Sequence, residues 1–176
     1  MFNPKYQLTN KILADLTAIA EAKGIIDRAK ILPQQEIKLR RQAIIRMTHH
    51  STEIEGNQLN MAQVGALYAK KKVDAPARDI YEVKNYLNAL QYIEKVVAGH
   101  TAISEKVILR IHQRVTHKTL PQEYSGAYRS GPVYVVRRRS DAPQEIVYTG
   151  PDAKQVPKLM ADFVAWLQES GQKEVN

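Results

Sequence analysis

The chain has 176 residues, of which 44% are hydrophobic and 25% are charged, a balance typical of a soluble globular protein of one domain or two small ones. It contains neither a run of about 18 apolar residues nor the charged and apolar regions of a signal peptide, so we predict no membrane span and a cytoplasmic location. The absence of cysteine excludes disulfides, thiolate nucleophiles and cysteine-ligated zinc.

The net charge of +8 suits an anionic partner such as a nucleotide, a nucleic acid or an acidic protein. The densest basic runs are three lysines at residues 70–72 and three arginines at residues 137–139. Short runs of this kind usually lie on solvated faces or at loop ends. We therefore do not expect nucleic acid to be the main partner.

The first part of the chain predicts three helices. Apolar residues recur at helical spacing over residues 8–26, and Pro33 suits the first turn of a second helix with its own apolar stripe. Gly56 and Asn57 should end this second helix, because glycine readily adopts the left-handed conformation that follows a last turn. Asn60 can then cap the third helix.

Three further helices are predicted after residue 76. An apolar stripe over residues 78–97 predicts a fourth helix, which Gly99 closes. Ser104 can cap a fifth helix, and Asp152 can cap a last one that ends at Gly171. The chain is thus predicted to be mainly α.

A single β signal interrupts the helices. Residues 133–136 and 145–148 are β-branched and aromatic runs, and residues 137–144 between them read as a long polar tip that includes Asp141. A lone hairpin is only marginally stable in water, so it must either pack on the helices or serve a site. The hairpin is therefore the first functional candidate.

Two adjacent histidines raise the question of a metal site. His49 and Glu53 are four positions apart and could share a helix face, but a third ligand at fitting spacing is missing. We interpret His49 and His50, together with His112 and His117, as ordinary polar or core side chains. No metal site is predicted.

Residues 51–57, Ser-Thr-Glu-Ile-Glu-Gly-Asn, are the most informative stretch. A helix that reaches Glu55 would present the hydroxyl of Ser51 and the carboxylate of Glu55 on one face. The helix dipole disfavours a carboxylate in the last turn by a few tenths of a kcal/mol up to about 1 kcal/mol, so an arginine held bidentately would compensate. The alternative is a capping box from Thr52 to Glu55 that opens a new helix, which conflicts with Gly56 directly after it.

The pattern Ser51-x-x-x-Glu55-Gly56 resembles the inhibitory motif, Ser/Thr-x-x-x-Glu-Gly/Asn, of Fic-domain proteins. Its surroundings are similar to the family's His-Ser-Ser-x-Ile-Glu-Gly-Asn form. Other segments that follow the order of the family are residues 3–6, 82–86, 109–112, 126–129 and 156–160.

The resemblance implies a helical bundle of the Fic (Fido) type with one β-hairpin flap, at about residues 132–149, and an incomplete core. Residues 1–75 would form an N-terminal helical segment with the inhibitory helix. Residues 76–176 would form the front half of the core, including the flap.

Family members transfer AMP from ATP to a hydroxyl side chain of a target protein, with Mg²⁺ neutralising the phosphates. The resemblance implies that Ser51, Glu55 and Gly56 are inhibitory, with Glu55 pairing with an arginine of the catalytic loop. The flap would bind an extended target segment by strand addition. The flap residues expected to dock the target are Ile146, Val147 and Tyr148.

The catalytic signature of the family, His-Pro-Phe-x-Asp/Glu-Gly-Asn-Gly-Arg, is absent from this chain. No catalytic residue is therefore assigned here. We expect ATP and Mg²⁺ to bind the complete family protein but not to bind tightly to this chain alone. The expected partners are the target protein and the missing C-terminal part of the core, and a homo-oligomer is a further candidate.

Two alternatives stay open. The chain could be a basic helical binding or regulatory module for nucleic acid or an acidic protein. It could also be the remnant of a truncated gene, which would expose apolar faces and self-associate.

Overall fold

The computed structural model describes residues 2–139 and 142–173. Within them, the fold is mainly α with one antiparallel hairpin, which confirms the predicted class. The helices are α1 (Asn10–Arg28), α2 (Pro33–Ile54), α3 (Met61–Tyr68), α4 (Ala77–Ala98), α5 (Glu105–Val115) and α6 (Val156–Lys173), and the strands are β1 (Tyr134–Arg139) and β2 (Ala142–Thr149). None of the described helices is long and apolar enough to cross a membrane.

Three of the predicted helix caps are confirmed, whereas Asp152 caps a short 3-10 helix, Ala153–Gln155, directly before α6. Gly56 has a φ of +90° and follows the end of α2, as expected for a glycine that closes a helix. Asn60 and Gln63 form a reciprocal capping box at the start of α3. The hydroxyl of Ser104 accepts a hydrogen bond from the backbone N–H of Val107 at the start of α5.

The hydrophobic core lies between α2, α3 and α4. Its buried side chains are Leu59, Val64, Leu67, Val83 and Leu87. Helix α5 packs on α4, and α6 packs on α5. The core thus unites residues on both sides of the predicted boundary at residue 75, and the division into two segments stays a prediction.

Helix α1 forms as predicted, but it packs against none of the other described helices or strands. The apolar stripe of α1 is exposed to solvent. Helical periodicity shows which face of a helix is apolar, but it does not show whether another element covers that face. The exposed side chains of the stripe are Leu8, Ile12, Leu16 and Ile19.

The polar tip of the hairpin is shorter than predicted. Residues 137–144 were expected to form a loop, but β1 extends to Arg139 and β2 begins at Ala142. Arg137 pairs with Glu145 across the strands, with Nη1 and Oε2 3.4 Å apart, so polar residues continue the ladder. Asp141, in the predicted tip, lies outside the described residues.

The end of the last helix was also predicted wrongly. Helix α6 runs past Gly171 to residue 173, because a single glycine weakens a helix without having to end it. The apolar side chains of α6 are only partly covered. Val164 is buried, Leu159 is exposed, and the ring of Phe163 contacts Phe2 edge-on at 5.2 Å between centroids.

Candidate functional site

The end of α2 lines a cleft of about 500 Å³ that α4 and the chain after α5 also border. On the α2 side the cleft is lined by Ser51, Thr52 and Glu55, and on the α4 side by Arg78, Glu82 and Tyr86. The structure thus brings two of the predicted inhibitory residues to one cleft.

Glu55 is the C-cap residue of α2, one position beyond the last helical residue, Ile54. Its backbone N–H donates to the carbonyl of Thr52 at 3.0 Å. Its side chain is exposed, and no described residue gives it a hydrogen bond or an ion pair. The negative end of the helix dipole disfavours this carboxylate, so a cation beside it would be favourable.

Ser51 has a partner that the sequence did not indicate. Its Oγ lies 2.9 Å from the phenol oxygen of Tyr86 on α4, and both side chains are partly buried. Tyr86 belongs to residues 82–86, which resemble the family, but that resemblance assigned it no role. The inhibitory role that the resemblance implies for Ser51 stays a prediction.

The turn after Gly56 is held by Asn57, which is buried. Its Nδ2 donates to the carbonyl of Asp79 at 3.0 Å and to Oε2 of Glu82 at 2.9 Å, and its Oδ1 accepts from the N–H of Leu59 at 3.1 Å. These bonds join the end of α2 to the first turns of α4. The position of Glu55 in the cleft is therefore set by a packed turn.

The charges of Arg78 and Glu82 in the cleft satisfy each other. Arg78 Nε donates to Glu82 Oε1 at 2.9 Å, while Glu82 Oε2 accepts from Asn57. Arg78, the arginine that lines the cleft, is thus already paired with an acid other than Glu55.

A second group of contacts closes the base of the hairpin. The guanidinium of Arg129 donates to the carbonyls of Gly131 and Pro151, and the N–H of Gly150 donates to the carbonyl of Val133 at 2.8 Å. Arg129 thus ties the chain before β1 to the chain after β2. These hydrogen bonds fix the two ends of the hairpin relative to each other.

Gly126 joins this base to α5. It has a φ of +75°, and its N–H donates to Nδ1 of His112 at 3.0 Å. A Cβ at this position would lie 2.8 Å from Cβ of Gln113 and 3.1 Å from the carbonyl oxygen of Leu109. Only glycine fits this close approach, and His112 has the structural role that we expected for it.

Tyr128 makes a further contact to α5. Its hydroxyl donates to Oε2 of Glu105 at 2.7 Å. Burial, together with the hydrogen bond to the Glu105 carboxylate and the charge of that carboxylate, raises the pKa of Tyr128 to about 12. The phenol therefore holds its proton and keeps this bond at neutral pH.

The predicted docking residues lie together on β2. Ile146 pairs with Val136 and Tyr148 pairs with Val135, so Val147 between them is the extra residue of a β-bulge. The side chains of Ile146, Val147 and Tyr148 are all exposed. Among the described residues, the hairpin packs against no helix, and each strand has a free edge.

No protein-family model matches the chain. Among curated proteins, it is 29% identical over 154 residues to the Protein adenylyltransferase Fic of Drosophila melanogaster, which covers 86% of this chain and 27% of that protein. It is 32% identical over 156 residues to the protein of the same name from Drosophila willistoni, which covers 88% of this chain and 27% of that protein.

The fold shows the same relationship. A Fic family protein from Desulfovibrio desulfuricans G20 has a similar crystal structure, with a TM-score of 0.71 and 32% sequence identity. The match covers 95% of this chain and 48% of that chain. By sequence and by fold, this chain therefore belongs to the Fic family, and it spans about a quarter of the length of the curated relatives that it matches.

Proposed function

We propose that the protein to which this chain belongs transfers AMP from ATP to a hydroxyl side chain of a target protein. In this proposal the chain supplies one regulatory element and one recognition element: Glu55 inhibits the transfer, and the hairpin binds the target. The names of the curated relatives support the transfer reaction. The observation that carries the inhibitory role is the carboxylate of Glu55 in the cleft, which is paired with no described residue.

The electrostatics of Glu55 favour a cationic partner. The carboxylate lies just beyond the C-terminus of α2, where the backbone carbonyls already make the potential negative. An arginine that approached it could form two parallel hydrogen bonds, which is the strongest pairing available to a carboxylate. We infer that an arginine of the catalytic loop occupies this position in the complete protein and is thereby kept from the ATP γ-phosphate.

An inhibitory side chain must be held in place. The Ser51–Tyr86 contact and the hydrogen bonds of Asn57 both tie the end of α2 to α4. A group that is positioned by regular elements and their hydrogen bonds is more precisely placed than one on a free loop. This anchoring supports a role in which the position of Glu55 matters.

The described residues at the cleft do not fit an ATP–Mg²⁺ site by themselves. Mg²⁺ needs oxygen ligands in near-octahedral geometry, but Glu82 is bound by Arg78 and Asn57, and Glu55 stands alone. We therefore assign no catalytic step to this chain, and we expect that it does not transfer AMP on its own.

The hairpin suits a strand-addition mode of target binding. An exposed strand edge offers unpaired N–H and C=O groups to an extended peptide, and neighbouring side chains supply selectivity. Ile146 and Tyr148 flank the bulge at Val147 and are exposed. Arg129 fixes the base of the hairpin, while the strand edges remain available to a peptide.

The inhibitory role is tested in the complete protein, with its catalytic motif present, by incorporation of labelled AMP from ATP into a target protein. Glu55→Gly should raise the rate, and Glu55→Gln should raise it through loss of the charge alone. Glu36→Gln, which removes an acid from the first turn of the same helix, is the matched control and should leave the rate unchanged. A rate unaltered by both Glu55 variants would contradict the inhibitory role.

The flap is tested with the same assay. Tyr148→Ala and Ile146→Ala should lower AMP transfer to the target, while hydrolysis of ATP in the absence of target stays the same. Tyr134→Ala, which truncates an exposed side chain of β1, serves as the comparison. Equal losses of both reactions in the β2 variants would point to a folding defect rather than to docking.

One observation favours a second function, binding of an anionic macromolecule. Lys70, Lys71, Lys72 and Lys84 all line a cavity of about 490 Å³ beside α4, so the lysine run gains a fourth cation in the fold. A module of this kind would bind DNA or RNA in a salt-dependent way. Substitution of these lysines by alanine should then abolish the binding. If the partner is instead an acidic protein, the unaltered chain should not bind nucleic acid. The cytoplasmic location and a homo-oligomer also stay predictions.

A further inference from the structure

Three potential metal ligands meet on the last two turns of α2. Nδ1 of His50 lies 3.2 Å from Oε2 of Glu53, and Nδ1 of His49 lies 3.7 Å from the same oxygen. One ligand atom of each residue lies within 4.8 Å of those of the other two. The spacing in sequence indicated only two ligands on this face, but the perpendicular rings of His49 and His50, 5.0 Å apart, bring the third to it.

The nitrogen of His49 that faces this cluster has no hydrogen-bond partner among the described residues. The His49 side chain is 15% exposed, and its Nδ1 is shielded from solvent and hydrogen-bonded to no described residue. The 3.7 Å to Glu53 is too long for a hydrogen bond. A buried nitrogen without a partner is unfavourable, so it calls for a ligand or an ion.

We propose that His49, His50 and Glu53 form a binding site for a divalent transition-metal ion, with Zn²⁺ as the best match. Zn²⁺ lies about 2.1 Å from nitrogen and oxygen ligands, so two ligands of a tetrahedral site are roughly 3.4 Å apart. The two distances to Glu53 Oε2, 3.2 Å and 3.7 Å, lie on either side of this value. The ion would bind the orphaned Nδ1 of His49.

The donor set selects the class of metal. Two imidazoles and one carboxylate suit Zn²⁺, Co²⁺, Ni²⁺ or Cu²⁺, whereas Mg²⁺ and Ca²⁺ prefer oxygen ligands only. Three protein ligands leave one coordination position for water. His50 and Glu53 are more than half exposed, so an ion can enter from solvent. The site is therefore chemically distinct from the Mg²⁺ that accompanies ATP, and it does not depend on the proposed transfer activity.

A bound ion would also affect the element that carries the inhibitory motif. His49 and Glu53 are one helical turn apart, and Ser51 lies between them. A metal bridge across this turn would restrain the end of α2 directly before Glu55. We therefore expect Zn²⁺ to slow amide hydrogen exchange over residues 49–56.

The test is a calorimetric titration of the 176-residue chain with ZnCl₂, in a buffer that contains Mg²⁺ in excess. We expect one Zn²⁺ per chain, with no competition from Mg²⁺. With Co²⁺ in place of Zn²⁺, a visible absorption band of a tetrahedral nitrogen-ligated ion should appear. His50→Ala and Glu53→Gln change exposed side chains and should each weaken the affinity at least about tenfold.

The matched control is His117→Gln, which removes an exposed histidine far from the cluster in sequence and should leave the affinity unchanged. Circular dichroism checks that each variant keeps its helix content. The proposal is overturned if the chain binds no stoichiometric Zn²⁺, if His50→Ala binds as tightly as the unaltered chain, or if His117→Gln loses as much affinity as the cluster variants.

Discussion

The side-chain oxygens of Ser51 and Tyr86 lie 2.9 Å apart and join the last turn of α2 to α4. The two residues are 35 positions apart in the chain, and their contact borders the same cleft as Glu55. The serine of the motif thus has a structural partner in addition to its predicted inhibitory role. Experiments can therefore measure two effects of Ser51 independently: its contribution to stability through Tyr86 and its predicted inhibitory role.

We expect the Ser51–Tyr86 hydrogen bond to contribute about 1 kcal/mol to the free energy of unfolding. Ser51→Ala and Tyr86→Phe should each lower it, and the double variant should lower it by clearly less than the sum, because the two residues share one interaction. Urea denaturation measures all three variants. Additive effects would show that the two hydroxyls act separately.

Asn57, directly after the motif, should contribute more to stability than its exposed neighbour Gln58. Asn57→Ala leaves the carbonyl of Asp79, the N–H of Leu59 and a carboxylate oxygen of Glu82 each without one partner, which should cost roughly 1–3 kcal/mol of unfolding free energy. The neighbouring Gln58→Ala removes an exposed side chain and should cost clearly less. Equal losses in urea denaturation would contradict the anchoring role of Asn57.

Gly126 should tolerate no side chain. Gly126→Ala places a Cβ 2.8 Å from Cβ of Gln113 on a left-handed backbone, which should cost at least about 2 kcal/mol of unfolding free energy. Gly131→Ala is the matched control, because no heavy atom lies within 4 Å of its added Cβ. Thermal unfolding of the two variants decides the prediction, and similar midpoints would contradict it.

Tyr128 should make stability depend on pH in the alkaline range. Its pKa rises from the ordinary value of 10.0 to about 12 on folding, so the folded chain keeps the phenolic proton where the unfolded chain has lost it. The stabilisation is therefore complete below about pH 10 and disappears as pH rises from about 10 to about 12. Urea denaturation of the unaltered chain and of Tyr128→Phe measures this difference, which we expect to be about 1 kcal/mol at neutral pH.

The control for this pH effect is Glu105→Gln. Without the carboxylate, the phenol loses its charged acceptor but stays partly buried, so the difference between Tyr128 and Phe at position 128 should fall less steeply between about pH 10 and about pH 12. A pH-dependent difference of the same size in the Glu105→Gln background would assign the effect to other groups.

Local signals were sufficient to predict most helices and their caps. Asn60 capped α3 and Gly56 ended α2 as expected, because these roles depend on hydrogen bonds and backbone angles within a few residues. The hairpin was also predicted from its β-branched runs, although polar residues paired further along it than expected. The end of α6 was missed at Gly171, where the helical neighbours outweighed one glycine.

The residues of the candidate site were identifiable from the sequence, but their partners were not. Ser51 and Glu55 stand out because a serine and an acid precede a helix-ending glycine, and this pattern lies within seven residues. Which side chain meets Ser51, and whether any meets Glu55, depends on how α2 packs on α4. No local periodicity contains that information.

The sequence alone therefore determined the helical class, the caps, the hairpin and the motif that connects the chain to the Fic family, since each depends on near neighbours. Only the tertiary structure decided that Tyr86 contacts Ser51 and that Glu82 accepts hydrogen bonds from both Asn57 and Arg78. It also decided that no other described helix or strand covers the apolar stripe of α1. The physical reason is that contacts between distant residues arise from the packing of whole helices around a shared core.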